Sequence, residues 1–382
     1  MKIAIISIYF IHHWEPLCEE LYKLLKDDFC FIATSKMTNS LKNNGFPQYI
    51  DKKYLINAFE SDNNLEKSKK IAHEADVVIL GNAPFCYKII RSKVNKITFE
   101  QAERWFKRGY INLLSPRLIK SQLFYYLFLR NKRYYMLNSS AYAYSDLLFM
   151  HSFKDKCFKW GYFTKVMDID IYDLMNKKRN REVVKFIWCA RFLKLKHPEL
   201  PIFLAAELKE IGISNIEFNM YGSGPCFDSS LNLIKKLNVS DVVKLHGTVP
   251  NSEIVRRMRD SDIFLFTSDR REGWGAVLNE AMSNGCVAIS SDSIGATPYL
   301  IEHNKNGLIF ESNNLKSLLE QTKYLLNNPL EREKMSVSAY ETMREVWSPA
   351  NVAKQFLELV SYLLGESNYI PISGPCSKSE MK

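Results

Sequence analysis

Two glutamates, Glu272 and Glu280, bracket Gly273-Trp274-Gly275-Ala276-Val277, a glycine-containing loop that opens a good helix-forming series. The residues before it, Ile263-Phe264-Leu265-Phe266-Thr267-Ser268, are short in extent, apolar and polar-ended, which predicts a buried strand. Asn284-Gly285 supplies the helix stop. A strand, glycine loop and helix in that order present backbone N–H groups at a helix start, where the orphan donors and the dipole favour a phosphate. Glu272 stands before the helix and faces such a ligand directly. Glu280, expected in the second turn, lies roughly 6 to 9 Å further along the axis at ~1.5 Å per residue, so each acid reaches one end of an elongated ligand. The same two acids, taken alone, also fit a solvated helix start and an ordinary surface position.

Arg191 and Lys196 follow another strand signal that ends at Cys189-Ala190. Arg offers a planar fork to phosphate oxygens and Lys a mobile point charge, so together they suit a diphosphate. Solvated basic side chains at a strand end are the plainer reading of such a pair.

In context these stretches resemble the GT-B glycosyltransferases, and in particular the large retaining family called family 4. Glu272 to Glu280 is similar to that family's E-x7-E signature, and the likeness runs on through Ala281 to Asp292. Ala190-Arg191-Phe192-Leu193-Lys194-Leu195-Lys196 is similar to its G-R-L-x-x-x-K segment, with Ala190 in place of the first Gly and His197 in place of the Gly that usually follows the Lys. Tyr221-Gly222-Ser223-Gly224-Pro225 and Val243 to Pro250 follow in the family's order, and Gly295-Ala296-Thr297-Pro298 resembles its G-G-x-P turn, with Ala296 for the second Gly and Tyr299 for the usual Glu. The likeness is good over about residues 183 to 310 and only an outline before them.

The resemblance implies a fold, a reaction and a set of roles. The fold is α/β: two Rossmann-like domains whose parallel sheets face across a cleft. The reaction moves a sugar, with retention, from a nucleotide-diphosphate sugar, a UDP- or GDP-sugar, to a glycan or lipid-linked saccharide acceptor in surface polysaccharide or glycoconjugate synthesis. Arg191 and Lys196 stabilise the leaving diphosphate, Glu272 contacts the sugar and Glu280 the ribose. Gly273, Trp274, Gly275, Ala276 and Val277, with Gly295, Ala296 and Thr297, supply the diphosphate site, and His246 and Gly247 lie beside the base. No permanently bound cofactor and no metal is expected, because basic side chains and amide dipoles do the work of Mg2+. Asp168-Ile169-Asp170 has the spacing of a metal-chelating pair but sits beside the expected domain boundary. Two other readings stand beside transfer: a nucleotide-sugar epimerase of the same fold, and a non-catalytic donor-binding subunit of a polysaccharide assembly complex.

The elements that position these residues follow from periodicity. A chain of 382 residues fits two domains: 1–170, expected to hold the acceptor; 171–345, expected to hold the donor; and 346–382, a helix expected to return to the first domain, then a tail. In the first half Ile3 to Phe10, Phe29 to Thr34 and Asp76 to Leu80 read as strands and Pro16 to Lys26 and Asn63 to His73 as helices, the alternation of a parallel sheet. Ligands bind at the carboxyl ends of such strands, which makes Tyr9 to His13, with His12 and His13, and Gly81 to Pro84 candidate walls. In the second half Val183 to Cys189, Ile216 to Tyr221, Val242 to His246, Ile263 to Ser268, Val287 to Ser291 and Gly307 to Phe310 predict six parallel strands. Asn176-Lys177-Lys178-Arg179-Asn180-Arg181 reads as a linker or surface turn.

Composition bounds the rest. The chain is 46% apolar and 25% charged, ordinary for a globular protein. No run approaches the ~20 apolar residues of a spanning helix, and Lys2 to Phe10 lacks a cleavage site, so a cytoplasmic protein is expected. The eight cysteines are scattered without a C-x2-C pair and read as reduced thiols. Of the net charge of +10, residues 1–170 carry +9, and residues 88–133 alone hold 12 basic against 2 acidic residues. That segment, with Leu123-Phe124-Tyr125-Tyr126-Leu127-Phe128-Leu129 inside it, reads either as a core helix with solvated ends or as a face in peripheral contact with an anionic inner membrane leaflet. No nucleic-acid motif accompanies the charge.

Overall fold

The computed structural model describes residues 1–38 and 52–382, which form two compact units, Met1–Thr164 with Trp347–Lys382, and Lys165–Val346. Each is a wholly parallel sheet with helices on its faces.

The first unit has seven strands: β1 Ile3–Ser7, β2 Phe29–Ala33, β3 Leu55–Asn57, β4 Val77–Leu80, β5 Ile97–Ala102, β6 Tyr134–Asn138 and β7 Cys157–Lys159, in the order β3-β2-β1-β4-β5-β6-β7. Ile3 lies opposite both Phe29 and Val77, so β1 is central, and every one of its residues is buried. Strands covered on both faces have no solvent side, which is why Ile-Ala-Ile-Ile and Val-Val-Ile-Leu run apolar without alternation. Arg91 is buried at the edge of this layer. It donates to Ala72 O, Ala75 O, Ile97 O and Thr98 Oγ1 at 2.8–3.0 Å, tying two helices to β5. Burial lowers its pKa to about 10.

The helix Pro349–Leu364 belongs to this unit, where Phe356 meets Phe99 and Trp160 at centroid distances of 5.4 and 5.8 Å. Gly365, at φ +80°, ends it in the left-handed conformation that glycine adopts without strain. The tail then pairs with the β7 edge: Cys376 N donates to Lys159 O and Lys159 N to Ser377 O, both at 2.8 Å.

The second unit has six strands: β8 Val184–Cys189, β9 Ile216–Tyr221, β10 Val243–Leu245, β11 Ile263–Phe266, β12 Val287–Ser291 and β13 Gly307–Phe310, in the order β10-β9-β8-β11-β12-β13. These are the six strands expected from sequence: β9, β12 and β13 have the expected bounds, and β8, β10 and β11 are shorter by one or two residues. The charged run 176–181 differs from expectation. It closes the helix Ile171–Arg179 and is no linker, because Lys178 is buried and its Nζ donates to Ser261 O and to Gly285 O at 2.6 Å. Charge alone cannot reveal a lysine whose partners lie 83 and 107 residues away. Asp170 caps the same helix by accepting from Asp173 N at 2.9 Å, an ordinary N-cap role. Among the described residues no helix is long and apolar enough to cross a membrane, and no cluster of three or more His, Cys, Asp or Glu side chains could hold a metal ion.

Candidate active site

In the second sheet β8 comes first in sequence, β9 lies on one side of it and β11 on the other, so the strand order reverses between β8 and β11. Loops leaving the carboxyl ends of two such strands diverge and leave a crevice, the usual ligand site of an open parallel sheet. Arg191 and Lys196 lie on the loop after β8, and Glu272 on the loop after β11.

That crevice is built by hooks between the loops. Asp269 N donates to Leu195 O at 2.9 Å, and Thr267 Oγ1 donates to Lys196 O at 2.7 Å while accepting from Trp188 Nε1 at 2.9 Å. β11 ends one residue before Thr267, at Phe266. The Lys196 ammonium is ion-paired with Glu272 Oε2, and Ser268 Oγ donates to the same oxygen at 3.1 Å. Both members of the pair are more than four-fifths buried. Arg191, five residues earlier, is exposed and has no carboxylate partner among the described residues.

On the other side, the β8 loop rests on the loop after β9. Phe192 N donates to Ser223 O at 2.9 Å and Cys226 N to Phe192 O at 2.9 Å. Gly222 and Gly224, at φ +128° and +149°, allow this approach, since a Cβ would lie 2.0 Å from Ala190 O and 2.6 Å from Phe192 O. Gly222 N also donates to Gly247 O at 2.7 Å. His246 stacks on Tyr221 with centroids 4.6 Å apart, and its Nε2 is 2.6 Å from Asn219 Oδ1. The Gly-Ser-Gly turn, uninformative by itself in the sequence, thus joins three loops.

The helix after the glycine loop is Val277–Ser283, so Glu280 falls in its first turn and not, as expected, in its second. Asn251 Nδ2 donates to Glu280 Oε1 at 3.1 Å. Burial raises the Glu280 carboxyl pKa, partly opposed by that hydrogen bond. Cys189, at the end of β8, lies within electrostatic reach of both Glu280 and Lys196, and burial pushes its thiol up to about 12. Glu280, Cys189, Lys196 and Glu272 therefore form one continuous neighbourhood.

Other residues singled out in the sequence serve the frame. The Trp274 indole is buried and donates to Asn279 Oδ1 at 2.8 Å, so only its backbone is available to a ligand. Gly275 is at φ +83°, and a Cβ there would lie 2.2 Å from the Phe266 ring. Gly273 and Ala276 are buried beside it, with Val277 half-buried. Gly295, Ala296 and Thr297 are buried, and Thr297 Oγ1 bonds Ser290 Oγ at 2.6 Å. Ala296 has φ −80° and ψ −28°, a right-handed conformation open to alanine, so replacing glycine there costs no backbone strain.

His197 is different. It holds φ +49° and ψ +57°, the left-handed region, at the position where the family resemblance has glycine. Its Nδ1 is 2.7 Å from Glu199 Oε1 and its Nε2 3.4 Å from Asp269 Oδ2. The Glu199 hydrogen bond, with Asp269 adding to it, raises the imidazole pKa against the effect of burial. Sequence reading missed Glu199, Asn251, Ser268 and Asp269, because their partners are distant in sequence or they carry no pattern.

The first unit has its own crevice, where strand order reverses between β1 and β4. A cavity of about 1250 Å³ opens there, and both expected walls line it, through Tyr9, Ile11, His13, Gly81, Asn82 and Ala83. Burial lowers the pKa of His12 and takes that of His13 down to about 3, His12 adding to the latter.

Comparison with known proteins bears on both units. Residues 173–342 match the family model of the glycosyl transferases group 1. The matched stretch holds all four of Arg191, Lys196, Glu272 and Glu280 and supports a group 1 glycosyltransferase. Among curated proteins, the putative colanic acid biosynthesis glycosyltransferase WcaL of Escherichia coli K12 is 29% identical over 143 residues, 36% of this chain and 35% of that protein. The poly(ribitol-phosphate) alpha-N-acetylglucosaminyltransferase of Staphylococcus aureus is 26% identical over 165 residues, 42% of this chain and 33% of that protein. These matches span about a third of each relative. Among solved structures, Anabaena HepE in complex with UDP superposes with a TM-score of 0.68 at 15% identity, covering 95% of this chain and 100% of that one. That likeness establishes the GT-B fold for both units.

Proposed function

We propose that this chain is a retaining, family 4-type glycosyltransferase that moves a sugar from a nucleotide-diphosphate sugar to a glycan or lipid-linked saccharide in surface polysaccharide or glycoconjugate synthesis. The observation that carries the reading is the placement of Arg191, Lys196, Glu272 and Glu280 around one switch point, with Lys196 and Glu272 in direct contact. The donor belongs to Lys165–Val346 and the acceptor to the cavity of the first unit. The group 1 match and the polysaccharide roles in relatives' names support transfer over the epimerase and the non-catalytic subunit. HepE is seen with UDP, which makes a UDP-sugar the first donor to test, ahead of a GDP-sugar.

In the mechanism favoured, Glu272 and Lys196 are paired in a largely buried setting, where Glu272 accepts from sugar hydroxyls and Glu280 from the ribose. As the bond from the anomeric carbon to the diphosphate oxygen breaks, charge grows on the diphosphate beside Arg191 and Lys196, whose preorganised positive charge lowers the barrier without a bound metal. The acceptor oxygen forms its bond on the face the diphosphate leaves, and its proton passes to a diphosphate oxygen. No group of the chain need act as nucleophile. The protein works in the cytoplasm, with the first unit at the inner face of an anionic membrane.

A thermal-shift series with UDP, GDP, ADP and their sugar conjugates tests the donor, since only a ligand bound to the native state raises its melting temperature. UDP stabilisation followed by transfer to a saccharide acceptor is expected. Stabilisation by no nucleotide, or isomerisation of the UDP-sugar without acceptor, refutes the assignment.

A further inference from the structure

A second, apolar hollow of about 470 Å³ adjoins the first-unit cavity, lined by Phe85, Ile119, Leu123, Phe124, Leu127 and Phe128. The two share Phe85, Pro116 and Lys120, so they adjoin. The hollow is formed by the helix Pro116–Phe124 and a wide turn after it, in which Arg130 N donates to Tyr125 O, five residues back. Tyr125 turns inward and its hydroxyl accepts from Phe153 N at 3.0 Å, Tyr126 OH donates to Met150 O at 2.8 Å, and Gln122 Nε2 donates to Ser152 Oγ at 3.2 Å. With that face pinned, Leu123, Leu127 and Phe128 are left 57%, 72% and 53% exposed. An apolar patch of this kind, next to a cavity lined in part by charged side chains, marks a binding surface.

Charge at the junction says what it binds. Five cations line the larger cavity, and three are neutralised within the unit: Lys88 by Glu100 at 2.7 Å, Arg104 by Asp146 at 3.2 Å, and Lys107 by Glu103. The other two, Arg117 and Lys120, have no carboxylate partner among the described residues, and both stand on the helix that forms the hollow. Lys120 lies 4.3 Å from the centroid of the Phe85 ring, at the point where the two hollows meet.

We propose that these adjoining hollows bind a single anionic amphiphile, its chain in the apolar hollow and its phosphate between Arg117 and Lys120, with the attached saccharide in the larger cavity. The site gives the acceptor of the proposed transferase its chemical class, a lipid-linked phosphate, and rests on that reading.

The test uses the whole chain without donor. Octyl and decyl phosphate below their micelle thresholds, decyl glucoside and inorganic phosphate are titrated by calorimetry. Decyl phosphate should bind, with affinity rising about fourfold for each added methylene, the equivalent of ~0.8 kcal/mol. Leu123→Ser with Leu127→Ser, changes at exposed positions, should cost about tenfold or more. Arg117→Ser with Lys120→Ser should cost roughly tenfold or more for the phosphate and nothing for the glucoside. UDP stabilisation, read on the same variants, should not move. Affinity indifferent to chain length, the glucoside binding as tightly as the phosphate, or variants that bind as wild type overturn the site, the last leaving the patch to a protein partner. Amphiphile binding without any UDP effect would sustain the site while removing the transferase reading.

Discussion

The Lys196 ammonium and the Glu272 carboxylate, 76 residues apart in sequence, form an ion pair between the loops after β8 and β11. Before a diphosphate arrives, the lysine's charge is already satisfied. In the function proposed, phosphate oxygens would share Lys196 with Glu272.

Glu272→Gln should bind free UDP no more weakly than wild type, because it frees Lys196, yet it should slow turnover of the sugar conjugate. Lys196→Ala and Arg191→Ala should each lower kcat by ~10^2 or more, as the charge they oppose grows only when the bond breaks. Lys196→Ala also leaves Glu272 without its cation, so its melting temperature should fall further than that of Arg191→Ala, whose side chain is exposed. Full activity in either lysine or arginine variant would remove the mechanism. EDTA should change little.

Glu280→Ala should weaken UDP binding by ~1.5 to 3 kcal/mol, the worth of a hydrogen bond to a charged acceptor, as read by calorimetry. Because burial raises the Glu280 pKa, UDP affinity should fall as pH drops through that raised value. The sign for stability is opposite. As pH rises past the ordinary carboxyl value the unfolded chain loses its proton first, so ionisation there favours unfolding. Glu280→Gln should accordingly melt no lower than wild type at neutral pH, and a large drop would show that the charge is structurally required.

His197 carries a strained backbone and a raised pKa. The protonated imidazole stabilises the fold below its ordinary value of 6.5, and that contribution is lost as pH rises through the raised folded value. His197→Gly removes a left-handed non-glycine residue, worth on the order of 1 kcal/mol, but loses the bridge to Glu199 and Asp269. Melting curves of variant and wild type should cross, the variant being less stable in acid and equal or better in alkali. Parallel curves would show that the bridge contributes nothing.

Gly222→Ala and Gly224→Ala force a non-glycine residue into positive φ and drive Cβ onto a carbonyl oxygen. The backbone strain alone is on the order of 1 to 3 kcal/mol, and the loop carrying Arg191 and Lys196 should shift, so urea midpoints and kcat should fall together. Ala296→Gly, at an ordinary right-handed φ, should alter activity little.

Arg133 donates to Leu363 O within the first unit and so has a packing role, whereas Arg130 is exposed. Arg130→Ser with Lys132→Ser should weaken sedimentation with anionic vesicles at low salt by roughly 1 kcal/mol per residue, and the effect should fade as salt shortens the Debye length below ~10 Å. Equal sedimentation with neutral and anionic vesicles would leave this segment without a membrane role.

The six strands of the second unit and its glycine loop were legible from residues alone, because short apolar runs and their polar ends are local signals, whereas Arg191, Lys196, Glu272 and Glu280, read alone, fit solvated surface positions equally well. Family likeness supplied the roles. Tertiary structure decided which residues meet. Nothing local says that Lys196 reaches Glu272, that Gly222 and Gly224 exist to let backbone approach Ala190 O and Phe192 O, or that Lys178 is a buried clamp and not part of a linker. The excess of basic residues over 88–133 was equally plain in the sequence, but only packing shows that Arg91 is core and Lys88, Arg104 and Lys107 are paired, while Arg117 and Lys120 remain without a carboxylate among the described residues. A count of charges is a property of the chain, and the compensation of each charge depends on residues brought together by the sheet.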